Sequence, residues 1–196
     1  MGEILSSVDV AAAIVRRGGI VVVPTETVYG LACRPERVAK IAELKGRVVE
    51  RSVQLLVPGA EWLSRVGRPT DVALALADAF WPGPLTMVVR PGDDAPPELV
   101  FDGTIGVRVP AHPIALDLLA RCVPLAASSA NETGKPTPPT VHEVRKLFGP
   151  RADGYLDGGE ITGSGSTVVD VTGDALVMLR EGPIMRSDVE RVAGIG

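Results

Sequence analysis

The chain has 196 residues, 45% of them apolar and 22% charged, which is the balance of a soluble globular protein of one domain or two small ones. A formal net charge of −4 argues against a protein coated with basic residues for binding duplex nucleic acid, but leaves room for a local basic groove. Because no apolar run reaches the ~20 residues of a bilayer span and the two cysteines stand far apart, we expect no membrane contact, no disulfide framework and a reducing, cytoplasmic compartment.

Helical and strand-like segments alternate along the chain, which favours an α/β fold. The first helix, 7–17, begins at a serine that suits the N-cap and is closed by two glycines. The run "IVVV" at 20–23 predicts a strand buried on both faces. The clearest helix, 35–46, has a proline in its first turn and a glycine at its C-terminal cap.

The rest of the chain continues this alternation. Strands are predicted at 52–57, 85–89, 104–109, 124–129, 167–171 and 175–180, and helices at 69–81, at 112–122 and up to 148. The sequence contains no internal repeat and no linker, so we expect one domain over 1–196.

Several common kinds of site are excluded by residue type and spacing. The only histidines, His112 and His142, and the two isolated cysteines do not form a zinc-binding pattern, so no protein-held metal is predicted. There is no G-x-S-x-G for a serine hydrolase and no G-x-G-x-x-G after a strand. The glycine-rich loop 158–166 lacks the lysine of a Walker A motif, although it suits either an anion held by backbone N–H groups or a flexible surface turn.

Hydroxyl, amide and cationic side chains follow the predicted strands, where ligands of open α/β sheets collect. These residues are Thr25, Thr27, Arg108, Ser129, Asn131, Ser166, Thr167 and Arg180, with Lys45 and Arg47 at the end of the 35–46 helix. If they converge, they suit a phosphorylated ligand, since arginine grips phosphate and hydroxyls orient polar substrates.

Each of these residues also has a local explanation. Lys45 and Arg47 suit the negative end of a helix, and Thr25 and Thr27 suit a turn after proline. Ser129 suits a cap. Arg108 alternates with apolar residues, so its side chain lies either in a site or in solvent.

The sequence as a whole resembles the YrdC-like family, which includes threonylcarbamoyl-AMP synthases. The resemblance rests on six motifs in order: "GGIVVVPTETVYGLAC", "ELKGR", "WPGPLTMVV", "TIGVRVPAHP", "PLAASSANETGKPTP" and "GSGSTVVDVTG" followed by "LREG". Together they span about residues 18–183 and look like a short, single-domain member.

The resemblance implies a twisted mixed α/β sheet with helices on its faces and a concave basic groove. It implies a nucleotidyltransferase that converts L-threonine, bicarbonate and ATP, carried with Mg²⁺, into threonylcarbamoyl-AMP and pyrophosphate. Partner proteins then transfer the threonylcarbamoyl group to tRNA, and contact with tRNA itself is compatible with such a groove.

The resemblance also implies roles for individual residues. Lys45 and Arg47 would be catalytic, because they would stabilise charge on the reacting phosphates. The threonine would be held by Thr25, Arg108, Ser129 and Ser166. The nucleotide would be contacted by Arg47, Arg51, Thr104, Asn131 and Arg180.

The chain departs from the family pattern at a few positions. Arg51 stands in an altered 48–52 segment, Ala32 replaces a usual glycine, and Leu56 stands where a histidine often lines the threonine pocket. Two alternatives therefore stay open: a paralogue that carbamoylates or adenylates another acceptor, and an RNA-binding module. The acidic net charge and the 4% of aromatic residues weigh against the RNA-binding module.

Overall fold

The computed structural model describes residues 2–46, 53–122, 124–173 and 175–195. Its strands are β1 (Glu3–Ile4), β2 (Val21–Pro24), β3 (Tyr29–Cys33), β4 (Gln54–Leu56), β5 (Gly67–Arg68), β6 (Leu85–Pro91), β7 (Ile105–Arg108), β8 (Leu125–Ser129), β9 (Gly154–Tyr155), β10 (Thr167–Asp170) and β11 (Val177–Arg180). Its α-helices are α1 (Val8–Arg16), α2 (Val38–Leu44), α3 (Leu63–Val66), α4 (Asp71–Phe80), α5 (Pro113–Arg121), α6 (Val141–Phe148) and α7 (Arg186–Val192).

The strands form a mixed sheet in the order β1-β9-β2-β3-β8-β4-β7-β6-β10-β11, with β5 added beside β6. Neighbours β2–β3, β3–β8, β4–β8 and β6–β7 are antiparallel, whereas β4–β7 and β6–β10 are parallel. The predicted α/β class with a twisted mixed sheet and helices is therefore confirmed.

Helix ends follow the predicted caps. The hydroxyl of Ser7 accepts a hydrogen bond from the N–H of Val10 at 3.4 Å at the start of α1. The predicted 35–46 helix opens with a 3₁₀ turn, Pro35–Arg37, and is followed by Gly46 in the left-handed conformation, with φ of 62°. This cap fixes where the chain leaves α2, so it also fixes the position of Lys45.

Two apolar clusters cover opposite faces of the sheet. The larger one packs α2, α4, α6 and α7 against residues such as Leu55, Met87 and Val107. The smaller one packs α1 and α5 against the other face, through residues such as Leu56 and Ala127. Side chains alternate along a strand, so Gln54 shares the second face with Leu56, and this face stays open beyond the two helices.

Within these ranges no helix combines the length and the apolar character that a bilayer span requires.

Candidate active site

A cavity of about 530 Å³ lies on the open part of that second face. Its floor is formed by side chains of β4, β6, β7 and β10. Its walls are formed by the 131–137 segment, apart from Glu132, and by residues 163–166. The described lining holds four cationic side chains, Lys45, Arg108, Lys135 and Arg180, and no carboxylate. The folded chain therefore brings cationic and polar side chains together in one cavity, which their spacing in the sequence alone does not establish.

Among the described residues, Arg108 is the largest fully buried side chain, with 2% of its surface exposed. Its Nε donates to the carbonyl of Gly83 at 3.1 Å, and its Nη2 donates to Glu26 at 2.7 Å and to the hydroxyl of Thr27 at 3.1 Å. Within the described residues, its Nη1 has no hydrogen-bond partner. Burial lowers the pKa of Arg108, and the charge of Glu26 opposes that shift. The interpretation that Arg108 faces solvent is wrong.

Thr25 and Thr27 have different surroundings. The Thr25 hydroxyl donates to the Val28 carbonyl at 2.6 Å and accepts from the Val28 N–H at 3.1 Å, as in a turn stabilised by a threonine side chain. It meets Arg108 only through the Thr27 hydroxyl, 2.9 Å away. Thr27 lines the cavity and contacts Arg108, whereas Thr25, which the resemblance assigns to the threonine site, is not among the described lining residues.

Glu26 lies between these two threonines and holds Arg108 in place. One carboxylate oxygen accepts from Arg108, and the other accepts from the N–H of Ala111 at 3.0 Å. The carboxylate thereby ties the turn after β2 to the segment after β7. Sequence reasoning left this residue without a role.

The second cationic group is Lys45, together with Ser129 and Asn131. The Lys45 ammonium donates to the Ser129 carbonyl and to Asn131 Oδ1, the latter at 2.9 Å. The Ser129 hydroxyl donates to the same Oδ1 at 2.5 Å. The Asn131 amide in turn donates to the Lys135 carbonyl at 2.6 Å, which connects the group to the 131–137 wall.

The third group contains Ser166 and Arg180. Arg180 Nε donates to the Ser166 carbonyl at 2.8 Å, and its Nη2 donates to the Ser166 hydroxyl at 3.1 Å. As for Arg108, Nη1 of Arg180 has no hydrogen-bond partner among the described residues. Burial lowers the pKa of Arg180, and the nearby charge of Arg108 lowers it further. Two guanidinium groups close enough to repel each other favour an anionic ligand between them.

The glycine-rich loop forms a wall of the cavity through Gly163, Ser164 and Gly165. A Cβ at Gly163 would collide with the Thr27 carbonyl, and a Cβ at Gly165 would lie 3.0 Å from Nη2 of Arg180. The glycines therefore allow the backbone to approach the residues that line the site, and the loop is part of that site.

Some predicted site residues lie elsewhere. The Thr104 hydroxyl donates to the Phe101 carbonyl at 2.9 Å in the tight turn before β7, and Thr104 is not part of the described lining. Arg47 and Arg51 lie outside the described residues. Leu56 and Ala32 are buried in the smaller core, with 1% and 0% exposure, so neither lines the described cavity.

The lining residues that sequence reasoning missed include Gln54 and Thr86. Each is a polar residue in an otherwise apolar strand, in "SVQLLV" and "LTMVV", and that contrast is the signal that could have found them. Among the described residues, no group of three or more His, Cys, Asp or Glu side chains could hold a metal ion.

The family model for Sua5, YciO and YrdC proteins, described as "Telomere recombination", matches residues 13–182. The chain therefore belongs to the Sua5/YciO/YrdC family, as its motifs predict.

Two curated relatives and one solved structure show the extent of the similarity. The threonylcarbamoyl-AMP synthase of Pyrococcus abyssi is 39% identical over 195 residues, which cover 95% of this chain and 57% of the relative. The threonylcarbamoyl-AMP synthase of Bacillus subtilis is 38% identical, with coverages of 94% and 56%. The crystal structure of P. abyssi Sua5 complexed with L-threonine superposes with a TM-score of 0.90 at 35% identity, over 98% of this chain and 60% of that one. The chain thus spans somewhat more than half the length of these proteins.

Proposed function

We propose that this chain catalyses the formation of threonylcarbamoyl-AMP from L-threonine, bicarbonate and ATP, with release of pyrophosphate and water. The names of the two relatives, and the threonine in the related structure, support this activity. The observation that carries it is the pair of arginines at the cavity. Arg108 and Arg180 each use Nε and Nη2 to bind the protein, which leaves Nη1 to bind a substrate.

The amino acid would bind on the side of Arg108. A guanidinium held by three protein oxygens is preorganised for a carboxylate, because its orientation is fixed before the ligand arrives. The Ser166 and Ser129 hydroxyls, which line the same cavity, are the proposed partners of the remaining polar groups of threonine. Thr25 supports this site through its turn, and Thr27 is the threonine in contact with Arg108.

The nucleotide would bind across Lys45, Asn131 and Arg180. The amine of threonine combines with bicarbonate to give a carbamate and water, and a carbamate oxygen then attacks the α-phosphate of ATP. The bond from the α-phosphate to the bridging oxygen breaks, and pyrophosphate leaves. Lys45 and Arg180 would stabilise the charge that develops on the phosphates, and Mg²⁺ carried by ATP would neutralise the departing pyrophosphate. Arg47 and Arg51 remain proposed nucleotide contacts.

The proposal extends to the fate of the product. A carbamoyl adenylate hydrolyses in water, so partner proteins that pass the threonylcarbamoyl group to tRNA are part of the proposed function. The two free cysteines, Cys33 and Cys122, are compatible with a reducing compartment such as the cytoplasm. Since neither Leu56 nor Ala32 lines the described cavity, these two departures give no support to a different acceptor.

The experiment is a pyrophosphate-release assay in which threonine, bicarbonate and ATP are omitted one at a time. We expect release only when all three are present. Arg180→Met should reduce kcat/KM at least about tenfold, the effect of losing one charged hydrogen bond, whereas Arg186→Met, at an exposed position of α7, should not change it. Release that is independent of threonine would refute the proposal.

A further inference from the structure

A continuous hydrogen-bond chain crosses the floor of the cavity from Arg180 to Gln54. Arg180 Nη2 contacts the Ser166 hydroxyl at 3.1 Å, the Ser166 hydroxyl contacts the Thr86 hydroxyl at 2.7 Å, and the Thr86 hydroxyl contacts Gln54 Oε1 at 2.5 Å. Gly106 lies between Gln54 and Thr86 in the sheet, and a Cβ there would lie 3.6 Å from Thr86 Cγ2 and 3.8 Å from Gln54 Cβ. Both separations are ordinary van der Waals contacts, so what the glycine provides is the absence of a side chain above Thr86 and Gln54, which leaves the floor open.

All the hydrogen bonds of this hydrogen-bond chain are donated in the same direction. Arginine only donates, so Ser166 accepts from Arg180. A hydroxyl has one proton, and Thr86 donates its proton to Gln54 Oε1, so Ser166 must donate to Thr86. The order of donation is therefore Arg180, Ser166, Thr86, Gln54, and each bond polarises the next.

This order fixes what the floor offers to a ligand. Each of the Ser166 and Thr86 oxygens has one lone pair left, and both can only accept. Gln54 uses Oε1 within the chain and, among the described residues, its Nε2 has no partner, so it supplies two N–H donors. A ligand hydroxyl suits this surface because it donates to an acceptor and accepts from Nε2. A methyl group in its place would leave these groups unpaired.

The floor is also adjacent to the proposed carboxylate site. Met87 pairs with Val107 in the antiparallel register, so the next step sets Thr86 opposite Arg108. An amino acid with its carboxylate on Arg108 must direct its amine toward the nucleotide for the proposed reaction. Its side chain is then left to lie over Thr86 and Gln54.

We propose that Gln54, oriented by Thr86, is a specificity-determining residue that donates a hydrogen bond to the side-chain hydroxyl of the acceptor amino acid. This inference rests on the proposed function. It accounts for a single glutamine in an apolar strand, and it assigns to Gly106 the task of keeping the floor clear.

The test compares L-threonine with L-valine, which has the same shape but lacks the hydroxyl. The ratio of the two kcat/KM values is measured by pyrophosphate release for wild type, Gln54→Met and Thr86→Val. Thr172→Val is the matched control, because its hydroxyl bonds to Asp170 and lies outside the cavity. Calorimetric titration of both amino acids, with a non-hydrolysable ATP analogue present, measures binding without turnover.

We expect Gln54→Met to lower the threonine-to-valine ratio about tenfold, mainly through weaker threonine binding, as for the loss of one hydrogen bond. Thr86→Val should shift the ratio in the same direction, and Thr172→Val should leave it unchanged. If Thr86→Val does not fold, the threonine-to-valine ratio of Gln54→Met alone tests this inference. An active wild type with an unchanged ratio in Gln54→Met overturns this inference and leaves the proposed function standing. A wild type without threonine-dependent release overturns the proposed function.

Discussion

The ion pair between Glu26 and Arg108 allows the structure to be tested through stability. Arg108 is 2% exposed and the Glu26 side chain 22% exposed, and Glu26 also accepts from the Ala111 N–H. Glu26→Ala leaves the buried guanidinium with the Gly83 carbonyl and the Thr27 hydroxyl as its protein partners among the described residues. Glu26→Gln keeps the shape and one acceptor oxygen, but it removes the charge and replaces the second acceptor with an N–H donor.

The magnitude follows from this geometry. Removal of one partner of a buried pair costs about 3–5 kcal/mol, and the partial exposure of Glu26 places this pair at about 3 kcal/mol for Glu26→Ala. Glu26→Gln should cost about half as much, because a neutral hydrogen bond remains. Urea unfolding followed by circular dichroism gives both free energies of unfolding from the shift in midpoint.

The control is Glu36→Ala, which breaks an exposed pair with Arg34 and should not change the midpoint measurably. Glu26→Ala should also raise the KM for threonine more than it lowers kcat, since it displaces the proposed carboxylate contact. A midpoint for Glu26→Ala equal to that of wild type would show that the carboxylate does not hold Arg108.

Two further predictions concern groups that titrate or react. His112 caps α5 by accepting from the Ile114 N–H at 3.2 Å, and burial lowers the pKa of His112 from 6.5. The stabilisation by neutral His112 is therefore present above about pH 6.5 and is lost as pH falls through the lower pKa of the folded state. Unfolding measured across this range should show the loss of stability in wild type and not in His112→Asn. Burial raises the pKa of the Cys33 thiol to about 12. With iodoacetamide at about pH 8, mass spectrometry should find half-buried Cys122 modified in the folded protein and Cys33 modified only after unfolding. Modification of both cysteines in the folded protein would contradict the structure.

The elements that the sequence predicted well are those with a strong local signal. Helix α1 has its serine cap, and the strand after it is a continuous apolar run that can only be buried. Strand β3 was missed because "YGLAC" contains a glycine, and it becomes a strand by pairing with β2 and β8. Long-range pairing of this kind leaves little trace in local sequence.

The sequence predicted which residues line the site more accurately than it predicted which of them contact each other. Arg108, Ser129, Ser166 and Arg180 all line the cavity, because side chains at strand ends project from one face of the sheet. Thr25 was assigned to the threonine site by motif position, which does not reveal that its hydroxyl is used in the turn after β2 while Thr27 contacts Arg108.

The activity itself is tested most directly by isotope incorporation. The protein is incubated with ATP, L-threonine and ¹³C-labelled bicarbonate, and the adenylate products are analysed by mass spectrometry. The proposed reaction predicts threonylcarbamoyl-AMP that carries the label in its carbamoyl carbon, formed only when threonine is present. Folded protein that forms no labelled adenylate, or forms one without threonine, would contradict the proposed function.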